Sequence, residues 1–304
     1  MNRTVALSLV LAACGGSDNK MTTPDADVGF NKPKASLKAN TEVSDNNWME
    51  LGAANLACLN TPSDDMAATV DITLDTSVKD FQSGNFVPGV TVAVFPDIDI
   101  ANPIGAGATS DQTGALSITI PMGHKRIGFK MTKVDDGTSV SPLDTFLLNQ
   151  YLDPGMATQT SPDKIQSVSR ATAATLPALI GETRLVGTGV AAGALRDCDK
   201  HEMSNFVTVI SSTSGTATPI DGSESFYFSD AVGLPVHHTQ QEAASKDGLF
   251  MLIQVPPTPM AFVQAWGFAT DADLASGNLT LISELQVPVL ADTVITGSFE
   301  PLRK

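Results

Sequence analysis

The chain has 304 residues with 33 Asp or Glu against 18 Lys or Arg, a formal net charge of -15 at neutral pH. So acidic a surface repels nucleic acid and anionic lipid head groups, whose binding depends on Lys and Arg neutralising phosphates, and both are excluded as partners. The length suffices for one large or two smaller domains.

At the amino terminus, Arg3 is followed by an apolar run from Val5 to Ala13. That order of charge and then apolar residues belongs to an export signal. The run cannot span a bilayer, which takes roughly 20 apolar residues. The tetrad Leu11, Ala12, Ala13, Cys14 resembles the bacterial lipobox. The resemblance implies that residues 1–13 are a lipoprotein signal peptide, cleaved before Cys14, and that the Cys14 sulfur carries a diacylglyceryl group. Membrane attachment is then through lipid on Cys14. Gly15 lacks the Asp that often retains lipoproteins at the inner membrane, so the resemblance places the protein in the cell envelope, at the outer membrane. A leader this short falls below the roughly 15 to 30 residues usual for signals, and the natural start is expected upstream.

Residues 14–67 read as a flexible tether and lead-in. Gly15 to Asn19 are small and polar, and the stretch to Asn47 is rich in Asp, Asn, Lys, Pro and Thr with little apolar periodicity. Trp48, Leu51, Leu56 and Cys58 are the first residues expected to join a core.

From Ala68 the pattern turns to short alternating strands. Val70, Ile72 and Leu74 alternate with polar residues; VTVAVF lies between Pro88-Gly89 and Pro96-Asp97; LSITI sets Leu116, Ile118 and Ile120 on one face and stops at Pro121; RIGFKM repeats the pattern. Period two with frequent breakers predicts antiparallel sheet with one face buried, here assigned to residues 68–160. Residues 161–186 are expected to form a helical linker. Ser161-Pro162-Asp163 resembles a capped helix start, and Ile165, Val168, Ala171, Thr172 and Leu176 approximate helical spacing. A second helix is expected from Asp271 to Ala275, with Thr270 and Asp273 as a capping box.

The strand pattern recurs over residues 187–304. VKDFQSGNFVPGVTVAVF followed by SDQTGALSITIP is matched by ALRDCDKHEMSNFVTVIS followed by SKDGLFMLIQVP. Asp80 and Val90 correspond to Asp197 and Phe206, and Gly114 and Pro121 to Gly248 and Pro256. Asp-turn-Ser-Gly, Pro-Gly-Val-Thr-Val and Ser-Asp-x-x-Gly before an alternating strand resemble the carboxypeptidase regulatory-like module. That family implies a transthyretin-like, Ig-like sandwich with Greek-key links and no activity of its own. The match is looser in the second copy, where Met203-Ser204-Asn205 stands in place of Val-Pro-Gly. The fold class is therefore mostly β, two transthyretin-like antiparallel sandwiches joined by a short helical linker. Gly84 and Gly114 suit turns of positive φ, and Asp111 suits an Asx turn.

Little in the sequence points to catalysis. Of the histidines His124, His201, His237 and His238, the first two fall in turns, and the adjacent pair would point to opposite faces of an extended strand. No zinc spacing and no nucleophile elbow is present, so no catalytic residue, metal ligand or cofactor is assigned. Asp97, Asp99 and Asn102 could gather around calcium, but they lack an EF-hand's glycine and distal glutamate. The chain has two Trp, two Tyr and 13 Phe. Phe81, Phe129, Phe206, Phe250, Phe262 and Trp266 lie at strand positions that core packing explains. The reading is a non-catalytic structural, adhesive or ligand-binding surface protein whose envelope partner is a protein or polysaccharide. The alternatives are a starch-binding-like module and an envelope enzyme on a transthyretin-like fold.

The odd cysteine count bears on the anchor. Exported thiols tend to be oxidised in pairs, and once Cys14 carries lipid two remain. Cys58 and Cys198 are then either a disulfide joining the lead-in of one module to the opening turn of the other, or two separate buried thiols. The bridge is the reading taken.

Overall fold

The computed structural model describes residues 32–44, 47–81, 83–135, 137, 141–179, 185–230 and 233–303, without the side chains of 162–164 and 176–179. Residues 1–13, expected from the sequence to be a signal peptide, and Cys14 lie outside the described residues. The first elements are β1 (Lys38–Ser44) and β2 (Asn47–Ala53), an antiparallel hairpin joined by β11 (Glu202–Ser204) on the free side of β1. This corrects the unpacked lead-in. Leu37 and Asn40 are fully buried, and the Asn40 amide donates to the carbonyls of Lys38 and Glu202 and to the Ser204 hydroxyl. The pattern was faint because little of β2 is buried, so Leu37 and Ala39 were the apolar residues that had to be there.

The first sandwich comprises β3 (Ile72–Asp80), β4 (Thr91–Pro96), β5 (Ile104–Thr109), β6 (Ala115–Ile120), β7 (Ile127–Thr132), β8 (Asp144–Gln150) and β9 (Thr158–Ser167). The second comprises β10 (Gly189–Leu195), β12 (Phe206–Ser211), β13 (Glu224–Phe228), β14 (Pro235–His237), β15 (Leu249–Val255), β16 (Thr258–Gly267), β17 (Thr280–Val289) and β18 (Thr293–Phe299). Strand pairing reproduces the sequence repeat. β3 pairs with β6 as β10 pairs with β15, β4 with β7 as β12 with β16, and β7 with β8 as β16 with β17, all antiparallel. β3 also pairs with β9 in parallel, as β10 does with β18. The copies differ at one edge: β5 adds to β4, whereas β13, with β14 beyond it, adds to β15.

The expected helix at Ser161 is a correction, because residues 158–167 form β9. The ladder with β3 jumps from Ser161 to Ile165 across Pro162, which has no amide to give. Ile165 is buried in the first core, and that pairing overrides the local helix signal. The helix follows as α1 (Arg170–Leu179), where the Ser169 hydroxyl accepts the Thr172 amide at 3.0 Å as an N-cap. The second helix, α2 (Asp271–Ser276), has the expected capping box of Thr270 and Asp273.

A nine-stranded sheet runs through both copies in the order β14-β13-β15-β10-β18-β8-β7-β4-β5. The seam is the parallel pair of β18, the last strand, with β8 of the first copy. Two three-stranded sheets, β6-β3-β9 and β12-β16-β17, complete the sandwiches. They cover opposite faces of the shared sheet. On β8, Phe146 and Leu148 join the core that holds Phe206, Phe250 and Val287, while Leu147 packs against the core of Leu74, Val92 and Phe129. Neighbouring residues of a strand point to opposite faces, so the two cores lie on opposite sides.

The Cys58–Cys198 disulfide forms, with Cα atoms 5.8 Å apart and 140 positions between them. Both neighbourhoods are pinned nearby: the Cys198 amide donates to the Asn55 carbonyl, and Arg303 donates to the Cys58 carbonyl.

Candidate functional site at the junction of the sandwiches

Because the small sheets cover opposite faces, the outer face of the second sandwich meets the side of the first and leaves a corner. β10, which reads GVAAGAL, forms its floor. Ala191 and Leu195 turn into the second core, so Val190, Ala192 and Ala194 turn to the corner. These short side chains leave space above the strand. Gly193, between them, has its absent Cβ 2.4 Å from the Phe299 ring, so the strand sits too close to the core for any side chain there. Met251 of β15 and Val294 and Thr296 of β18 extend the floor. The end of β9 and Ala173 of α1 close one side. The resulting cleft holds about 480 Å³, within the roughly 300 to 1,000 Å³ of small-molecule sites.

A charged cluster forms the other end. Arg126 Nε donates to Asp65 at 2.6 Å, and its terminal nitrogens donate to the Asn149 carbonyl and to Glu300, both at 3.3 Å. Lys200 donates to Glu300 at 3.1 Å, and the Arg126 guanidinium lies 5.3 Å from the centre of the Tyr151 ring. Burial alone would lower the pKa of Arg126, but its hydrogen bond to Asp65 and the charge of Glu300 hold it above its ordinary value. Burial alone would raise Glu300, yet Arg126 and Lys200 hold it below the usual carboxylate range. Arg126 and Glu300 therefore stay ionised, and the cluster ties the lead-in, both sandwiches and the chain end together. Arg196, also on the wall, donates from Nε to Glu202 at 3.0 Å; its terminal nitrogens have no partner among the described residues.

The residues singled out from sequence are scattered. Phe129, Phe206 and Phe250 are buried as expected. Phe81 is a correction: it is 41% exposed and lines the cleft, because the chain turns at Asp80 and carries it past the end of the sheet. His237 and His238 do not splay apart. The strand ends at His237, and the two rings lie 4.2 Å apart with His237 edge-on to Phe226. Burial, and then the charge of His237, lowers the pKa of His238. Asp99 accepts two short contacts from the Asn102 amide, while burial raises the pKa of Asp97 against the pull of Arg126.

No protein-family model and no curated protein matches the chain. Solved structures with a similar chain trace exist. They include the shaft pilin SpaA of Lactobacillus rhamnosus GG, at 10% identity and a TM-score of 0.22 over 78% of this chain and 98% of that one. The Bacillus anthracis TIE protein matches at 10% identity and a TM-score of 0.25, over 75% of this chain and 34% of that one. The major pilin subunit BcpA of Bacillus cereus matches at 9% identity and 0.23, over 74% and 69%. Scores this low carry no argument about function.

Two features escaped the sequence reading. Asp197, Asp199 and His201 bring one ligand atom each within 4.8 Å of one another. The signal was the Asp-x-Asp-x-His spacing, but Asp197 is already engaged: it accepts the amides of Asn55, Asp199 and His201 and so shapes the turn. The cleft had no local signal, since its lining comes from strands far apart in sequence.

Proposed function

We propose that this protein is a non-catalytic, lipid-anchored component of the bacterial cell envelope, held at the outer membrane by acyl chains on Cys14. In this reading two transthyretin-like sandwiches act as one stiff body, and a polar segment after Cys14 sets its distance from the bilayer. The observation that carries the reading is the Cys58–Cys198 disulfide, because such bonds persist in oxidising compartments outside the cytosol. It also supports the lipobox reading of Cys14, since the remaining two cysteines are then a matched pair. The envelope partner is a protein or a polysaccharide, met on the surface of the sandwiches.

The test is metabolic labelling with a fatty-acid analogue, followed by membrane fractionation. Wild-type protein takes up label and partitions with membranes; Cys14→Ser takes up none and stays soluble or keeps its leader. Equal labelling of the two forms would sink the anchor.

A further inference from the structure

The cleft at the junction has an unequal lining. α1 roofs one end, where Val168, Ala173, Phe228 and Val294 form a closed apolar cluster. Beyond it Ala192, Ala194, Leu147 and Leu249 stay partly open, and Phe81 stands exposed at the edge. The charged side chains on the wall are Arg126, Arg196 and Lys200 against Glu300 alone. Asp65 and Glu202, which pair with Arg126 and Arg196, are not on the wall. With those partners counted, three cations stand against three carboxylates, so what the wall offers is unused donor capacity rather than net charge. Glu300 is already bound by two cations, whereas Arg196 has terminal nitrogens to spare and its side chain is 52% exposed. The Tyr151 hydroxyl likewise has no partner among the described residues and lies on the same wall. An apolar trough ending in donors with free capacity fits one ligand chemistry: apolar contact for the body and charge-assisted hydrogen bonds for an anionic group.

We propose that this cleft binds a small free amphipathic anion, with an apolar body lying over Ala192 and Met251 and its negative group at Arg196. The site goes beyond the envelope reading and does not depend on it, because every lining residue lies between Phe81 and Glu300.

The experiment uses the full chain carrying Cys14→Ser, so that no acyl chain of its own competes. Decanoate, decanol and decyltrimethylammonium, which share a chain and differ in charge, are titrated below their aggregation limits by calorimetry. The methionine methyl resonances are followed in parallel. Decanoate is expected to bind saturably, one per chain, and to shift the Met251 methyl while leaving the exposed Met260 in place. Decanol should bind about tenfold more weakly, and the cation more weakly still. Arg196→Gln should bring decanoate down to the level of decanol, and Ala192→Trp, checked for an unchanged melting profile, should abolish binding of both. Arg196→Gln, on the surface, keeps the test decisive if Ala192→Trp fails to fold. No saturable decanoate binding, equal affinity for the three probes, or a Met251 resonance that does not move would each overturn the proposal. So would binding only to anionic phospholipid vesicles, with none to free decanoate.

Discussion

Gly89 and Asn205 occupy the same turn in the two sandwiches. Gly89 has φ 71° and donates its amide to Ser110; Asn205 has φ 66° and donates to Ala244, the matching position. Val87 and Met203, two residues before each, are both buried. Asn tolerates the left-handed region better than other residues with a side chain, so Met203-Ser204-Asn205 does the work of Val87-Pro88-Gly89. At this turn the second copy therefore keeps the backbone conformation of the first with different residues.

The pair gives a direct comparison. A Cβ on Gly89 meets little, with Lys133 Cε 3.8 Å away, so Gly89→Ala tests backbone strain alone. Asn205 already carries a Cβ, so Asn205→Ala loses asparagine's greater tolerance of this region and the amide hydrogen bond to the Ser36 carbonyl. Each is expected to cost about 1 to 2 kcal/mol in urea unfolding. An unchanged midpoint for both would contradict the shared turn.

Gly114 and Gly248 are a second matched pair, at φ 78° and 66°. Here space is short as well. An added Cβ would stand 2.8 Å from Phe86 and 3.1 Å from the Val78 carbonyl at Gly114, and 3.0 Å from the Leu195 carbonyl at Gly248. Each residue's carbonyl also accepts from the strand it crowds, Val78 or Leu195, so the turn cannot move away without breaking the ladder. Alanine at either position should cost more than at Gly89, about 3 kcal/mol, by thermal or urea unfolding.

The disulfide closes a long loop, and in the chain-entropy view its loss costs up to about 5 kcal/mol. Alkylation of the unfolded chain without reductant should leave Cys58 and Cys198 unmodified, and a linked peptide pair should be found by mass. The Cys58→Ser, Cys198→Ser double variant should unfold at lower urea. Two alkylated thiols at these positions would remove the bridge.

Asp247 makes stability depend on pH. Burial pushes its carboxyl from the ordinary 3.8 up to about 6, opposed by the Leu249 amide and assisted by the charge of Asp230. Because the folded pKa is raised, the fold prefers the protonated acid. The penalty for the charged form is fully present above pH 6, shrinks as the pH falls and is gone below the unfolded value. Asp247→Asn keeps an acceptor for Leu249 and removes the charge. It should stabilise by on the order of 3 kcal/mol at pH 8, with the gain fading to nothing near pH 4. A gain independent of pH would show that burial of this carboxylate is not the cause.

Much of the strand content was legible because it is written in local residue patterns. Leu116, Ile118 and Ile120 alternate, Thr270 and Asp273 cap α2, and Asp111 accepts the Thr113 amide at 2.8 Å in its turn. Each signal lies within a few residues of its effect. The β9 segment was misread for the converse reason. Ser161-Pro162-Asp163 carries a local helix signal, but Ile165 is claimed by a partner strand more than eighty positions earlier.

By itself the sequence determined most of the strands after Ala68, the repeat and the turns between them, since φ, capping and alternation are properties of neighbouring residues. Only the tertiary structure decided that Cys58 and Cys198 lie within bonding distance, that β18 joins the sandwiches through β8, and that their cores face opposite ways. The cleft follows from that last decision. Phe81, Arg126, Ala192, Arg196 and Glu300 belong to different strands and turns, and no local pattern links them. A pairing between distant strands depends on the packing free energy of the whole chain, which has no period to read.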